Sequence, residues 1–208
     1  MNRQLIDQRK SNVVDLVVGR MDDPPVMEGL WFESLGTDTL AFAVRQGHPL
    51  VGVRKSVLRE CLRWPMIVPA TASIPRHNLE SLLSRNGHCI PSNCIETSDA
   101  YLGRLLTRES DAVWIAPMSA IRRAAGADML SLLPISTVGV EEPLGILRHR
   151  DRALAPVVDA LTSQIRAAAQ KWFRIDDAES NGSLLIPAEL TKARKVGTHH
   201  SNPGLSLA

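Results

Sequence analysis

The side chains whose type and setting suit chemistry are a single guanidinium, Arg20, and two short polar runs, Thr71-Ala72-Ser73 and Thr97-Ser98-Asp99. Arg20 follows Gly19 at the end of an apolar run, and open α/β sheets bind their ligands at the carboxyl ends of such strands. Each polar run stands between a short apolar segment and a helical pattern, so it offers hydroxyls and backbone N–H groups near a helix start. A cation with donors of this kind suits a small anion such as a carboxylate, held by charge-assisted hydrogen bonds without reaction. Two plainer readings stay open: Arg20 as a solvated loop residue, and Ser98 or Asp99 as ordinary helix caps.

Covalent chemistry lacks a frame. The sequence has no Gly-x-Ser-x-Gly elbow, no Gly-x-Gly-x-x-Gly, no phosphate-cradling loop ending in Lys-Ser or Lys-Thr, and no His-Glu-x-x-His. Neither an enzyme nor a bound cofactor is expected. Cys61, Cys89 and Cys94 are odd in number and contain no Cys-x-x-Cys pair, which argues against a disulfide framework and a zinc site and fits a reducing cytoplasm. His88-Cys89 with Cys94 matches no standard zinc spacing, and His199-His200 lies in a polar terminal stretch. No metal is expected.

The 208 residues are 44% hydrophobic and 22% charged, which is globular and long enough for one large domain or two small ones. A net charge of +2, with the basic residues scattered, gives no electrostatic footprint for nucleic acid. No apolar run approaches the roughly 20 residues of a membrane span, and no signal-like h-region follows Met1, so a cytoplasmic location without membrane contact is expected.

The elements that must position the polar groups alternate. Residues 4–10 read as the end of a helix, and 13–20 as a central parallel strand, because nearly continuous β-branched residues suit a strand buried on both faces. Residues 30–35 and 39–45 read as half-buried strands, and Gly47-His48-Pro49 as a turn where the chain crosses between domains. Beyond it come a helix over 56–63, a strand over 66–68, and a helix carrying Leu79, Leu82 and Leu83 that stops at Asn86-Gly87. A strand over 94–96, a helix over 100–108, a strand over 112–116, a helix from Pro117 to about 125 and a strand over 129–133 follow. A strand over 143–148 and a long amphipathic helix over 154–172 close the pattern, with a flexible tail over 174–208. The alternation predicts mostly parallel sheets covered on both faces.

In order along the chain, Asp15-Leu16-Val17-Val18-Gly19-Arg20, residues 40–45 with Gly47-His48-Pro49-Leu50, Trp64-Pro65-Met66-Ile67-Val68-Pro69, Glu96-Thr97-Ser98, Asp111-Ala112-Val113-Trp114-Ile115-Ala116-Pro117 and Leu132-Leu133-Pro134 resemble the effector-binding domain of LysR-type transcriptional regulators. The resemblance runs from about residue 4 to 173 and is nearest the branch that controls aromatic-acid breakdown and sugar uptake. It implies an α/β fold of the type II periplasmic-binding-protein kind, with two lobes joined by two crossing strands. The first lobe would comprise residues 1–46 and 139–173, the second 47–138, with crossings near 45–48 and 137–142. A small, anionic effector, an aromatic acid or a sugar derivative, would bind in the cleft through Arg20, Thr71, Ala72, Ser73, Thr97 and Ser98. Where relatives carry a glycine-rich turn, this sequence has Arg108-Glu109-Ser110-Asp111.

Relatives open with a winged helix-turn-helix, a linker helix and the first strand, helix and strand of the effector domain, none of which precedes Asp15 here. The resemblance therefore implies a truncated regulator whose first lobe is incomplete. Such a chain would not bind DNA specifically by itself, and DNA contact and homo-oligomer formation would belong to the full-length form. A free-standing solute-binding protein of the same fold is the alternative reading.

Overall fold

The computed structural model describes residues 2–124 and 130–183. The chain forms one compact unit over Met1–Ala169 and a second from Gln170 onward, of which the helical residues up to Ser183 are described.

Helix α1 (Asn2–Lys10) ends with Arg9 and Lys10 in its last turn, where the helix dipole favours cations, and Asn12 at φ 58° turns the chain away. Then come β1 (Val17–Arg20), a short α2 (Pro24–Met27) and β2 (Leu30–Asp38). Strand β3 (Leu40–Arg45) leads through a 3-10 turn at Pro49–Gly52 to α3 (Val57–Cys61), β4 (Met66–Val68), α4 (Ile74–Arg85) and β5 (Cys94–Glu96). The rest is α5 (Ala100–Arg108), β6 (Val113–Pro117), α6 (Met118–Ala124), β7 (Leu130–Leu132), β8 (Glu142–His149) and α7 (Pro156–Ser183).

These strands make two sheets, a three-stranded one in the order β1-β8-β2 and a five-stranded one in the order β5-β4-β6-β3-β7. The chain leaves the first sheet after Asp38 and returns to it at Glu142. Because β3 pairs with β6 and β7, the outward crossing lies between Asp38 and Leu40, ahead of the Gly47-His48-Pro49 turn where the sequence suggests it.

Alternation along the strands builds a core on each face of the five-stranded sheet. Leu40, Phe42 and Val44 of β3 join Met66, Val68, Val113 and Ile115 under α3 and α4, while Ala41 and Ala43 join Ile67, Trp114 and Ala116 under α5 and α6. The second face is closely packed: a Cβ at Gly103 of α5 would stand 2.5 Å from the Trp114 ring. In the three-stranded sheet, Ile6 of α1 packs on Val17, Leu30 and Leu147. Gly145 lets β2 approach β8, since a Cβ there would lie 2.3 Å from the Glu33 carbonyl oxygen, next to the register shift between Ser34 and Gly36.

Three expectations are corrected. The run over 13–20 is not a central parallel strand: β1 begins at Val17, pairs antiparallel with β8 alone and forms the sheet edge, with Val13 and Val18 exposed. The sheets are not mostly parallel: among the described residues the parallel pairings are those of β4 with β5 and β6. Helix α7 continues to Ser183, into the stretch read from sequence as tail; residues 184–208, including His199-His200, lie outside the described residues. Apart from the short α2, which forms where a loop is expected, the other helices and strands form at or within a few residues of the expected positions.

Candidate functional site

Arg20 stands at the end of β1, where Asn2 of α1 completes the exposed strand edge. The Asn2 amide accepts from the Arg20 backbone N–H and donates to its carbonyl, each at 3.2 Å. The Arg20 side chain turns toward the ends of the neighbouring strands. Its Nε donates to Glu142 Oε2, and its Nη2 lies 3.4 Å from Asp38 Oδ2.

Asp38 and Glu142 are cross-strand partners at the ends of β2 and β8, 4% and 3% exposed, and Arg20 is the cation between them. Asp38 also gathers donors from the five-stranded layer: Ser119 of α6 gives its hydroxyl at 2.6 Å and its N–H at 3.2 Å, and the Thr39 N–H donates at 3.0 Å. Glu142 accepts from Asn78 of α4 at 2.9 Å. Burial pushes the Glu142 carboxyl above the usual range despite the opposing pull of Arg20 and Asn78, and the Asp38 charge adds to the rise.

The other expected site residues gather at the carboxyl ends of the parallel pair β4 and β5. Ser73 is the N-cap of α4: its hydroxyl accepts from the Arg76 N–H at 3.2 Å and donates to the Ala70 carbonyl at 2.7 Å. Ala72 sits at φ 62°, a left-handed conformation forced by this tight turn. Thr71 presents its N–H at 3.1 Å and its hydroxyl at 2.8 Å to Glu96 Oε2, and Arg76 Nη1 donates to Glu96 Oε1 at 2.6 Å. The Thr71 hydroxyl, then Arg76, hold the Glu96 carboxyl below its ordinary range. The Thr97 N–H extends the ladder to the Val68 carbonyl and its hydroxyl accepts from the Asp99 N–H. Asp99 caps α5 through the N–H groups of Tyr101 and Leu102, and Ser98 is exposed beside it.

The structure thus joins the Thr71–Ser73 and Thr97–Ser98 turns directly through Glu96. Arg20 reaches them by a longer chain, through Glu142 to Asn78, five residues or about 7.5 Å along the helix capped by Ser73. Asp38, Glu142, Asn78, Ser119 and Arg76 escaped the sequence reading, and Glu96 entered it only within the run Glu96-Thr97-Ser98, with no site role. A weak signal existed for two of them, since Asp38 and Glu142 each sit where an alternating segment breaks into a loop.

Outside this region, Arg45, Arg108, Glu109, Ser110 and Asp111 line a shallow recess of about 320 Å³, open to solvent and polar, away from the residues above. The turn there needs no glycine: Ser110 accepts from the Ala112 N–H and donates to the Leu106 carbonyl, and Asp111 pairs with Arg45 at 2.6 Å. His48 is buried on the far side of Asp111, accepting from the Leu50 N–H and packing edge-on to Trp64. Cys61 is buried and its thiol is pushed up to about 12 by desolvation, which leaves it unreactive.

Comparison with known proteins bears on this arrangement. A family model described as the LysR substrate binding domain matches residues 1–170. YdcI of Escherichia coli (strain K12), an uncharacterized HTH-type transcriptional regulator, is 35% identical over 165 residues, which is 79% of this chain and 53% of that protein. The HTH-type transcriptional regulator PcaQ of Agrobacterium fabrum is 32% identical over 173 residues, 83% of this chain and 55% of that one. The chain spans about half the length of the curated relatives it matches. Among solved structures, the CcmR regulatory domain of Synechocystis PCC6803, in complex with 2-PG, superposes with a TM-score of 0.67 at 14% identity, covering 81% of this chain and 79% of that one. The effector binding domain of QuiR, in complex with shikimate, gives 0.61 at 16% identity over 81% and 78%. These two likenesses bear out the expected α/β fold of the type II periplasmic-binding-protein kind.

Proposed function

The chain belongs to the LysR substrate-binding domain family, and we propose that it senses a small anionic effector for a transcriptional regulator. The effector would bind in a cleft between the layer built on the three-stranded sheet and the layer built on the five-stranded one. Its contacts would come from Arg20 on one side and from Thr71, Ala72, Ser73, Thr97 and Ser98 on the other. The relatives named as regulators favour this over a free-standing solute carrier of the same fold. Nothing in the arrangement calls for a catalytic step or a cofactor, and the reading is of a binding domain in the cytoplasm. DNA contact would be made by a helix-turn-helix of a full-length regulator acting as a homo-oligomer.

The observation that supports the reading is the run of polar contacts that links Arg20 to the Thr71–Ser73 turn. A cation at the end of β1 is tied through Glu142 and Asn78 to the helix whose first turn carries Ser73, Thr71 and the Arg76 guanidinium. The test is a thermal-shift panel of aromatic acids, hydroxy acids and sugar acids, followed by calorimetry of any stabilising compound with the parent, Arg20→Ala and Thr71→Ala. Loss of one charge-assisted contact is worth about 1.5 to 3 kcal/mol, roughly tenfold or more in affinity. Unchanged affinity in both variants would overturn the site, and a panel in which only neutral or cationic compounds bind would overturn the anionic effector.

A further inference from the structure

The two connections between the sheets are each marked by a buried carboxylate, and the two carboxylates face one another. Asp38 ends β2 at the outward crossing, Glu142 begins β8 at the return, and they are register partners on adjacent antiparallel strands. Like charges directly opposite on paired strands repel, the more so with both nine-tenths buried. Each is also gripped from the five-stranded layer, Asp38 by Ser119 of α6 and Glu142 by Asn78 of α4, whose amide also reaches the Val140 carbonyl at 3.5 Å. From the three-stranded sheet a single guanidinium, Arg20, touches both. With both carboxylates ionised, the cluster therefore carries one uncompensated negative charge out of water.

Among the described residues, Arg20 is the cation that pairs with both carboxylates. The groups facing Glu142 are Arg20 from β1, Asp38 from β2 and Asn78 from α4. Ser119 of α6 faces Asp38. Of the further charges along the chain, Glu141 accepts from the Gly139 N–H at 3.0 Å, and Asp22 is taken up by the Asn2 amide at 3.1 Å and by Arg3 at 3.7 Å.

We propose that Glu142 is a proton-coupled hinge pin: with a proton it leaves a neutral cluster that locks the two crossings together, and without one the surplus buried charge loosens them. A protonated Glu142 can still accept from Asn78 and Arg20, so protonation removes the repulsion from Asp38 without removing the contacts. Burial raising the Glu142 carboxyl acts in the same direction, since the folded state then holds the proton more tightly than the unfolded chain does. The two sheets would accordingly be held more firmly toward each other on the acid side of this titration than on its alkaline side. This inference does not depend on the identity of an effector or on the anion-binding role of Arg20.

The test is hydrogen exchange of the full chain followed by mass spectrometry from about pH 5 to about pH 8, with rates corrected for the intrinsic pH dependence of amide exchange. In the parent, segments covering 38–41, 75–80 and 140–144 should lose protection severalfold as pH rises, while β4 and β6 stay constant. Glu142→Gln, neutral but able to accept through one oxygen only, should give a profile at the crossings that no longer depends on pH, whatever its absolute level. Asp38→Asn, which removes the opposing charge, should flatten the profile as well. A parent profile without pH dependence at the crossings would overturn the proposal even if neither variant folds, and so would a Glu142→Gln profile that follows the parent.

Discussion

The five-stranded sheet is covered on both faces, whereas the three-stranded sheet rests on one small cluster of Ile6, Val17, Leu30 and Leu147 and ends at an open strand. The difference follows from the sequence of each strand. In β3, Leu40, Phe42 and Val44 point to one face and Ala41 and Ala43 to the other, so both faces bury apolar atoms under helices. In β1, Val17 is buried but Val18 is 48% exposed, and the backbone edge at Arg20 is satisfied only by the side chain of Asn2. One layer buries apolar side chains on both faces of its sheet. The other has one small apolar cluster and the polar cluster at the crossings.

The largest effect separating them should come from their cores. Phe42→Ala removes a side chain 1% exposed in the larger core and should cost about 3–5 kcal/mol, a large share of the stability of a typical domain, and should lower the urea midpoint accordingly. Leu147→Ala in the smaller cluster should cost about 2–5 kcal/mol but leave the near-ultraviolet signal of Trp114 in place, because Trp114 packs in a different cluster. Loss of both signals together in Leu147→Ala would mean that the two layers unfold as one.

A smaller contrast concerns the edges. Backbone amides of β1 should exchange well before those of β4 and β6, which lie inside their sheet and are buried over Met66–Val68 and from Val113 to Ala116. Val18→Lys, at the exposed edge position, should reduce any concentration-dependent association without lowering the melting temperature. Association that persists unchanged in light scattering would move the responsible surface away from β1.

How far these features can be read from the sequence depends on whether the information is local. The helix capped by Ser73 and closed at Asn86-Gly87 is legible because cap, apolar spacing and left-handed Gly87 all lie within it. Strand direction is not local: Val13-Val14 and Val17-Val18 look like a doubly buried parallel strand, yet the register with Leu144 to Leu147 of β8 makes an antiparallel edge. The polar cluster is harder still, since Arg20, Asp38, Asn78 and Glu142 are distant in sequence and meet only because β1 and β2 flank β8. Arg20 could be picked out by its place after a strand, but nothing near it announces that two carboxylates already engage it.

The titration of Glu142 should leave a mark on global stability that is smaller than the core effects. A carboxyl raised in the folded state contributes stability that is fully present below its unfolded value and is lost as pH rises through the folded one. Glu142→Gln, which can accept through one oxygen only, should therefore lose the pH dependence that Glu142 gives the parent, so that its melting temperature relative to the parent rises as pH rises. A relative melting temperature that falls as pH rises would show that the ion pair with Arg20 outweighs burial.

The smallest expected effect lies where α7 meets the three-stranded sheet. Arg166 makes a two-pronged contact with Glu33 of β2, at 2.5 Å and 2.9 Å, and that hydrogen bonding holds the Glu33 carboxyl below its ordinary range. Its contribution has the opposite sign to that of Glu142: it is present above the ordinary carboxyl value and is lost as pH falls through the lowered one. Both side chains are partly solvated, so water and salt weaken the pair. Arg166→Ala should shift melting at neutral pH and low salt by an amount near the limit of detection, and in about 1 M salt the variant and parent should coincide. A large, salt-independent loss would mean that Arg166 acts through packing of its methylene stem on β2, and that the smaller sheet depends on α7 more than its polar contact implies.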